Sequence, residues 1–262
     1  MIMRGSLHAT AKIRLSRFYG TPAWNCYWSE LEGNGTAVWA DPALTPNGIN
    51  QAAKANRFWA AEMTEHGMPA PESYYSSPLQ RCLLTANLTF GNLSLPRTRP
   101  FRPVIKEFLR EGISIHTCDR RSNKSRIEAL FPSWYFEAGF SERDLLWNGT
   151  FGESAGAQSV RSKRLLDDVF TKDDKTLISM TSHSGEIASI LGILGHRSFA
   201  LSTGQIIPVL VKAERTSQPL PVSTAEPWAS QATCTTPPVT SRADTGCVCS
   251  AAPASNPSST IG

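Results

Sequence analysis

Thr176–Leu194 reads TLISMTSHSGEIASILGIL, and the change of pattern at its middle decides the fold. Thr176 to Thr181 is a short apolar run rich in β-favouring residues, and it stops at Ser182-His183-Ser184-Gly185. That is the pattern of a buried strand. From Glu186 to Leu194, Ile187, Ile190, Leu191 and Leu194 recur at helical spacing, with Ser184 placed to cap the helix and Glu186 suited to its first turn. A histidine therefore stands where a strand turns into a helix. In an open α/β sheet that is where unpaired backbone N–H groups and the helix dipole favour an anion, so His183 is placed to meet a phosphate. The alternative is a satisfied polar side chain at a strand end.

The chain has 262 residues, 26 basic against 22 acidic, a formal net charge of +4 and 40% apolar residues. That is enough for one sizeable α/β core. So slight a positive balance argues against a dedicated nucleic-acid binder and suits a small anionic substrate. No apolar run reaches membrane-spanning length, so no membrane partner is expected, and the basic beginning MIMRGSLHATAKIRLSR lacks the apolar centre of a signal peptide. The expected location is cytoplasmic. Six cysteines, Cys26, Cys82, Cys118, Cys234, Cys247 and Cys249, show neither zinc spacing nor an evident disulfide framework. Asn-x-Ser/Thr triplets at Asn34, Asn87, Asn92, Asn123 and Asn148 are expected to be idle in a cytoplasmic chain.

Upstream, Phe18 to Trp39 is dense in aromatic residues, Gly, Pro and Asn and holds no period. Trp24, Tyr27, Trp28 and Trp39 read as a packing cluster within an ordered loop. Thr45-Pro46 opens a helix that Gly67 ends. A strand at Ser73–Ser77 leads through Pro78 into a helix from Leu79 to Phe90 with Arg81 in its first turn, where a cation opposes the helix dipole unless an anion is bound nearby. Arg81 is therefore a phosphate-binding candidate, against the alternative of an ordinary surface arginine. Pro103–Leu109 reads as a strand ending at Arg110-Glu111. The loop HTCDRRSNKSR, His116–Arg126, gathers Arg120, Arg121, Lys124 and Arg126 around Asp119, as a clamp for further anionic groups or as a solvated face. Helices are expected over Lys124–Phe131 and Gln158–Phe170 and a last strand over Gln205–Val211, whereas the Ser/Thr/Pro/Ala-rich residues 216–262 read as a disordered tail.

Ser77-Pro78-Leu79-Gln80-Arg81 after a strand, Ser182-His183-Ser184-Gly185 after another, and LTPNGINQA at Leu44–Ala52 together resemble the histidine phosphatase superfamily, also called phosphoglycerate-mutase-like. FYGTPAWNCYWSEL and HTCDRRSNKS are most similar to its fungal phosphomutase-like phosphatase branch. The resemblance covers about Phe18 to Glu214. It implies a three-layer α/β/α sandwich around a mainly parallel sheet, and hydrolysis of small phosphorylated metabolites through a phosphohistidine, with no metal and no cofactor. By the same resemblance Arg81 and His183 bind the transferred phosphoryl group and Glu111 donates the proton to the leaving oxygen, with Glu107 as the alternative donor. Phosphoglycerate mutase activity and a non-catalytic, phosphate-binding role are the other readings.

The family's first central strand ends in Arg-His-Gly, about a dozen residues before the position of Phe18, and no such tripeptide occurs in this chain. His8 lacks both the preceding arginine and the following glycine. Residues 1–17 are thus read as an atypical start, from a misplaced exon, a truncation or a decayed copy, and 18–215 as the family-like domain. The first central strand is expected to be missing or degraded, with a gap or a poor substitute near Lys12–Arg17.

Overall fold

The computed structural model describes residues 18–214, 228–238 and 247–249, together with the backbone of residues 2–4. The strands among them are β1 (Ile2–Arg4), β2 (Ser73–Ser76), β3 (Val104–Ile105), β4 (Tyr135–Phe136), β5 (Phe151–Gly152), β6 (Ile178–Ser182), β7 (Ile206–Ile207) and β8 (Ala229–Ser230). The α-helices are α1 (Thr21–Cys26), α2 (Pro46–Glu65), α3 (Gln80–Phe90), α4 (Lys124–Leu130), α5 (Ala155–Lys172) and α6 (Ser184–Ile193). The main sheet has the order β4-β3-β2-β6-β1-β7, and every neighbouring pair is parallel except β1 with β7.

β6 is buried at all five residues, as its apolar run requires of a central parallel strand. Its alternation still sorts the two faces. Ile178 and Met180 join Leu165, Leu166 and Val169 of α5 and Ile187, Ile190 and Leu191 of α6 in one core. On the opposite face, Tyr74 of β2 meets Ala55 and Trp59 of α2 and Phe90 of α3. Two helical layers thus enclose one sheet, which is the expected three-layer arrangement. The capping signals set the helix starts. Thr45 Oγ1 accepts from Gly48 N at 3.4 Å ahead of Pro46, and Ser154 Oγ accepts from Ala157 N at 3.0 Å ahead of α5.

Several expectations are corrected. A strand does occupy the place beside β6, and it comes from Ile2–Arg4; Lys12–Arg17 lies outside the described residues. β6 needs partners for its backbone N–H and C=O groups on both sides, and Ile2, Met3 and Arg4 pair with Met180, Thr181 and Ser182. The strand is only three residues long. The expected strand at Pro103–Leu109 is two residues followed by a 3₁₀ turn, Glu107–Leu109.

The Ser/Thr-rich tail is not featureless throughout. β8 pairs antiparallel with β5, Cys26 is bonded to Cys247, and Cys234 to Cys249. Cross-links supply there the restraint that the tail's few apolar side chains cannot. The aromatic cluster forms as expected: Trp24 and Trp39, both buried, pack edge to face with ring centroids 5.4 Å apart.

Trp59 has no exposed surface and stacks at a tilt on Phe90, 5.4 Å between centroids, joining α2 to α3. Trp59→Ala should therefore destabilise the domain by about 3–5 kcal/mol, read as a lower urea midpoint with an unchanged slope.

Candidate active site

The parallel pairing of β2 with β6 puts Ser76 level with Thr181, and Ser77 N donates to Thr181 O at 3.0 Å. Both strands therefore release the chain at one height, and α3 and α6 begin side by side there. The N-terminal ends of the two helix dipoles make this edge electropositive. The sequence pattern assigned the cap of α6 to Ser184, but Ser184 is the first helical residue and His183 the cap, without a side-chain capping bond. The imidazole turns instead towards α3.

Arg81 Nε donates to His183 Nδ1 at 3.2 Å. A guanidinium can only donate, so Nδ1 is the unprotonated nitrogen and the ring proton sits on Nε2, 2.8 Å from Ser77 Oγ. Cys82 Sγ lies 3.3 Å from the same nitrogen. Burial pushes the Cys82 thiol up to about 12, so it stays protonated at neutral pH. Arg81 is 1% exposed. Its Nη1 donates to Cys118 O at 2.7 Å, while Nη2 makes no hydrogen bond, with Asp119 Oδ1 3.5 Å away.

Glu111 reaches the same edge because β3 runs parallel to β2 and the 3₁₀ turn after it carries the chain towards α6. Ser182 Oγ donates to Leu109 O at 2.7 Å and anchors that turn. Glu111 Oε1 accepts from Gly112 N and from Glu186 N, each at 3.1 Å, and Ser184 Oγ donates to Oε2 at 3.4 Å. Burial raises its pKa above the carboxylate range, with Asp119 adding to the rise, against the lowering influence of Arg81 and the two backbone donors. Gly185 makes this approach possible: a Cβ there would stand 2.4 Å from Glu111 Oε1. The structure thus brings Arg81, His183 and Glu111 together. Glu107 is elsewhere engaged, its carboxylate held by Arg110 Nη1 at 3.0 Å and Arg121 Nε at 2.7 Å.

The basic loop divides in a way that its composition could not show. Arg121 is buried and structural: it donates to Ser122 O, Ser141 O and Arg143 O and stacks on Phe140. Arg120 pairs with Glu32 at 2.6 Å and covers Trp147. Together with Arg121, Arg126 and Arg143 it lines a cavity of about 560 Å³ whose wall also carries Glu32, Asp41 and Asp144, and Gln80, the residue before Arg81.

Four further residues shape the site. Ser77 and Cys82 lie within the stretch already singled out around Arg81, and their contact with His183 arises only when β2 and β6 pair. Asp119 reaches Arg81 only through the fold. Asp41 gave no local signal: its Oδ1 accepts from Gln80 N at 2.8 Å and its Oδ2 from Ser122 N at 2.9 Å, tying the start of α3 to the basic loop. It does so with a φ of 40°, a conformation that costs energy in a residue with a side chain.

Behind the site, Arg161 serves two carboxylates. It holds Glu153 with two bonds of 2.8 Å each and lies 3.1 Å from Glu186 Oε2. One cation between two buried acids leaves Glu186 the less favoured, and its Oε1 has no hydrogen bond. Burial raises Glu186 from 4.5 to about 7 despite Arg161. The folded state therefore keeps a proton that the unfolded chain gives up. Its stabilising contribution is complete below about 4.5 and is lost as pH rises through about 7, a fall of roughly 3 kcal/mol. Glu186→Gln should flatten that loss, visible in urea midpoints compared at pH 5 and pH 7. At the front of the site, Gly185→Ala should displace the Glu111 carboxylate and lower the urea midpoint, because a methyl group has no room 2.4 Å from Oε1.

Comparison with known proteins identifies the family. The model of the histidine phosphatase superfamily (branch 1) matches residues 23–204. A "Probable phosphoglycerate mutase" of Arthroderma benhamiae is 49% identical over 197 residues, 75% of this chain and 58% of that protein. "Phosphomutase-like protein 3" of Candida albicans is 37% identical over 204 residues, 77% of this chain and 62% of that protein. The aligned part is thus about three fifths of the length of these two relatives. The match with the family model spans most of the described domain, including the turns that present Arg81, Glu111 and His183, and on that ground the chain belongs to the histidine phosphatase superfamily (branch 1).

Proposed function

We propose that this chain binds the phosphoryl group of a small phosphorylated metabolite between Arg81 and His183, and that it derives from phosphomonoester hydrolases working through a phosphohistidine. The observation that carries this reading is the Arg81–His183 hydrogen bond in a site where Arg81 Nη2 retains a donor without a hydrogen bond. A phosphoryl oxygen at that nitrogen satisfies the donor and lies against a fixed positive charge. Glu111, its pKa raised, holds a proton above the usual carboxylate range and lies at the N-terminus of α6. In hydrolysis it gives that proton to the ester oxygen as the P–O bond breaks, and the leaving group departs as a neutral alcohol. The cavity beside Gln80 is lined by both arginines and carboxylates, and Arg126 and Arg143 are the cations on its wall that suit a further anionic group of the metabolite.

The covalent step needs a nucleophile at the carboxyl end of the strand next to β6. β1 holds that position and ends at Arg4, paired with Ser182, one residue from His183. Arg4 precedes Phe18 by 18 − 4 = 14 residues, close to the spacing that the family resemblance implies. Gly5 follows it directly, with no histidine between. We therefore read the chain as impaired in turnover. The same omission favours a second reading, phosphate binding without catalysis.

Inserting one histidine between Arg4 and Gly5 restores Arg-His-Gly and should raise kcat on an aryl phosphate at least about a thousandfold, given what loss of a covalent nucleophile costs. Equal rates with and without the insertion would sink the phosphohistidine reading. The chain without the insertion should still bind inorganic phosphate, and Arg81→Ala should abolish that binding. Retained binding in Arg81→Ala would place the phosphate elsewhere.

A further inference from the structure

The cysteines divide by position. Cys82 and Cys118, at 0% and 1% exposure, remain thiols inside the α/β domain, whereas the other four form Cys26–Cys247 and Cys234–Cys249. The seating of the tail does not rest on sulfur alone: Cys234 N donates to Cys26 O at 2.8 Å, and β8 pairs with β5. A reducing cytosol keeps such thiols unpaired, so two cross-links tying distant segments belong to an oxidising compartment. This conflicts with the cytoplasmic expectation, and it changes the meaning of the Asn-x-Ser/Thr triplets set aside as idle.

Two of these triplets share one geometry. Asn34-Gly35-Thr36 and Asn148-Gly149-Thr150 are surface turns with the asparagine and threonine exposed and a central glycine at φ 88° and 74°. Asn34 Oδ1 accepts from Thr36 N, Thr36 Oγ1 and Ala37 N at 3.1, 2.9 and 2.9 Å. Asn148 Oδ1 accepts from Thr150 N and Phe151 N at 2.8 and 2.9 Å. The carbonyl oxygen is thereby fixed to the backbone and the amide nitrogen left on the outer side. Asn148 Nδ2 makes no hydrogen bond among the described residues, and Asn34 Nδ2 meets only the Tyr19 hydroxyl, at 2.7 Å, which one remaining N–H still satisfies. Asn148 also lies just before β5, the strand that receives the cross-linked tail.

We propose that the chain matures in an oxidising, glycosylating compartment and carries N-linked glycans at Asn34 and Asn148. In each disulfide two cysteine thiols are oxidised by exchange with the disulfide of an oxidoreductase, which leaves as a dithiol. At each asparagine the Nδ2–C bond to the sugar forms as the anomeric C–O bond of a lipid-linked diphosphate oligosaccharide breaks. The lipid diphosphate leaves, and one amide proton passes to solvent.

The test is expression from the complete gene in a filamentous fungus, followed by digestion with a peptide-N-glycosidase, an amidase that hydrolyses glycosyl-asparagine to aspartate, in heavy-oxygen water beside an undigested control, and by thiol counting with a maleimide. Asn34 and Asn148 should be recovered as labelled aspartates, and Asn34→Gln with Asn148→Gln should each remove one glycan-sized step in electrophoretic mobility. The denatured protein should react at two cysteines before reduction and at six after it. Six reactive thiols before reduction, or no mobility shift and no labelled aspartate at these positions beyond the undigested control, overturns the proposal. None of these readouts depends on phosphate binding or turnover.

Discussion

The hydrogen bond from Arg81 to His183 depends on two strands, two helices and one register. Had β2 shifted by a single residue against β6, Ser76 would no longer stand level with Thr181, and Arg81 and His183 would lose their common height. The bond also fixes the chemistry of the imidazole, since a donor on Nδ1 places the proton on Nε2. Glu111 joins the same point from a third strand, guided by a 3₁₀ turn and admitted by the bare backbone of Gly185. The site is thus a consequence of parallel pairing, with each helix start delivering one side chain.

Buried guanidinium groups perform most of the remaining construction. Arg110 is fully buried and grips Asp144 with bonds of 2.8 and 2.7 Å, while Arg121 gathers the carbonyls of the loop around Ser141. Asp144 is held down at about 2, because its bonds with Arg110 outweigh the upward pull of burial. Arg110 does not line the cavity, and Arg121, which does, has its donors engaged by Glu107 and by the carbonyls of Ser122, Ser141 and Arg143. Both arginines shape irregular loops that too few apolar side chains line, and removing one partner would strand a charge in the interior. Charge count alone therefore misleads: the adjacent Arg120 and Arg121 both border the cavity, but the donors of Arg121 are taken up in holding the loop.

Much of this was legible in the sequence because it is written locally. The turn at Ser182–Gly185, the Thr45-Pro46 cap and the oddity of Arg81 in a first helical turn each need only a few neighbouring residues. What escaped is non-local. A three-residue strand such as Ile2–Arg4 carries no period to detect, and only the unpaired edge of β6 calls for it. Asp41 and Ser122 meet across 81 residues, and Cys26 and Cys247 across 221, so spacing gives no hint of either partnership. The tail's composition offered few apolar side chains and could not reveal that β8 and two disulfides tie part of it to the domain.

That last link has a consequence for how the molecule is made. Cys26 emerges from the ribosome 221 positions ahead of its partner, and the three other disulfide cysteines, Cys234, Cys247 and Cys249, follow close to one another. Four cysteines can pair in three ways, and only one of them matches this structure. Chain order alone would favour no correct choice, because Cys234 is synthesised before Cys247 and sits beside Cys26 in the finished fold. The folded domain must act as the template, holding Cys26 at a fixed place while β8 finds β5 and the tail turns back on itself. Fidelity of pairing thus rests on contacts that the domain supplies, β5 for β8 and the Cys26 carbonyl for Cys234, and not on chain order.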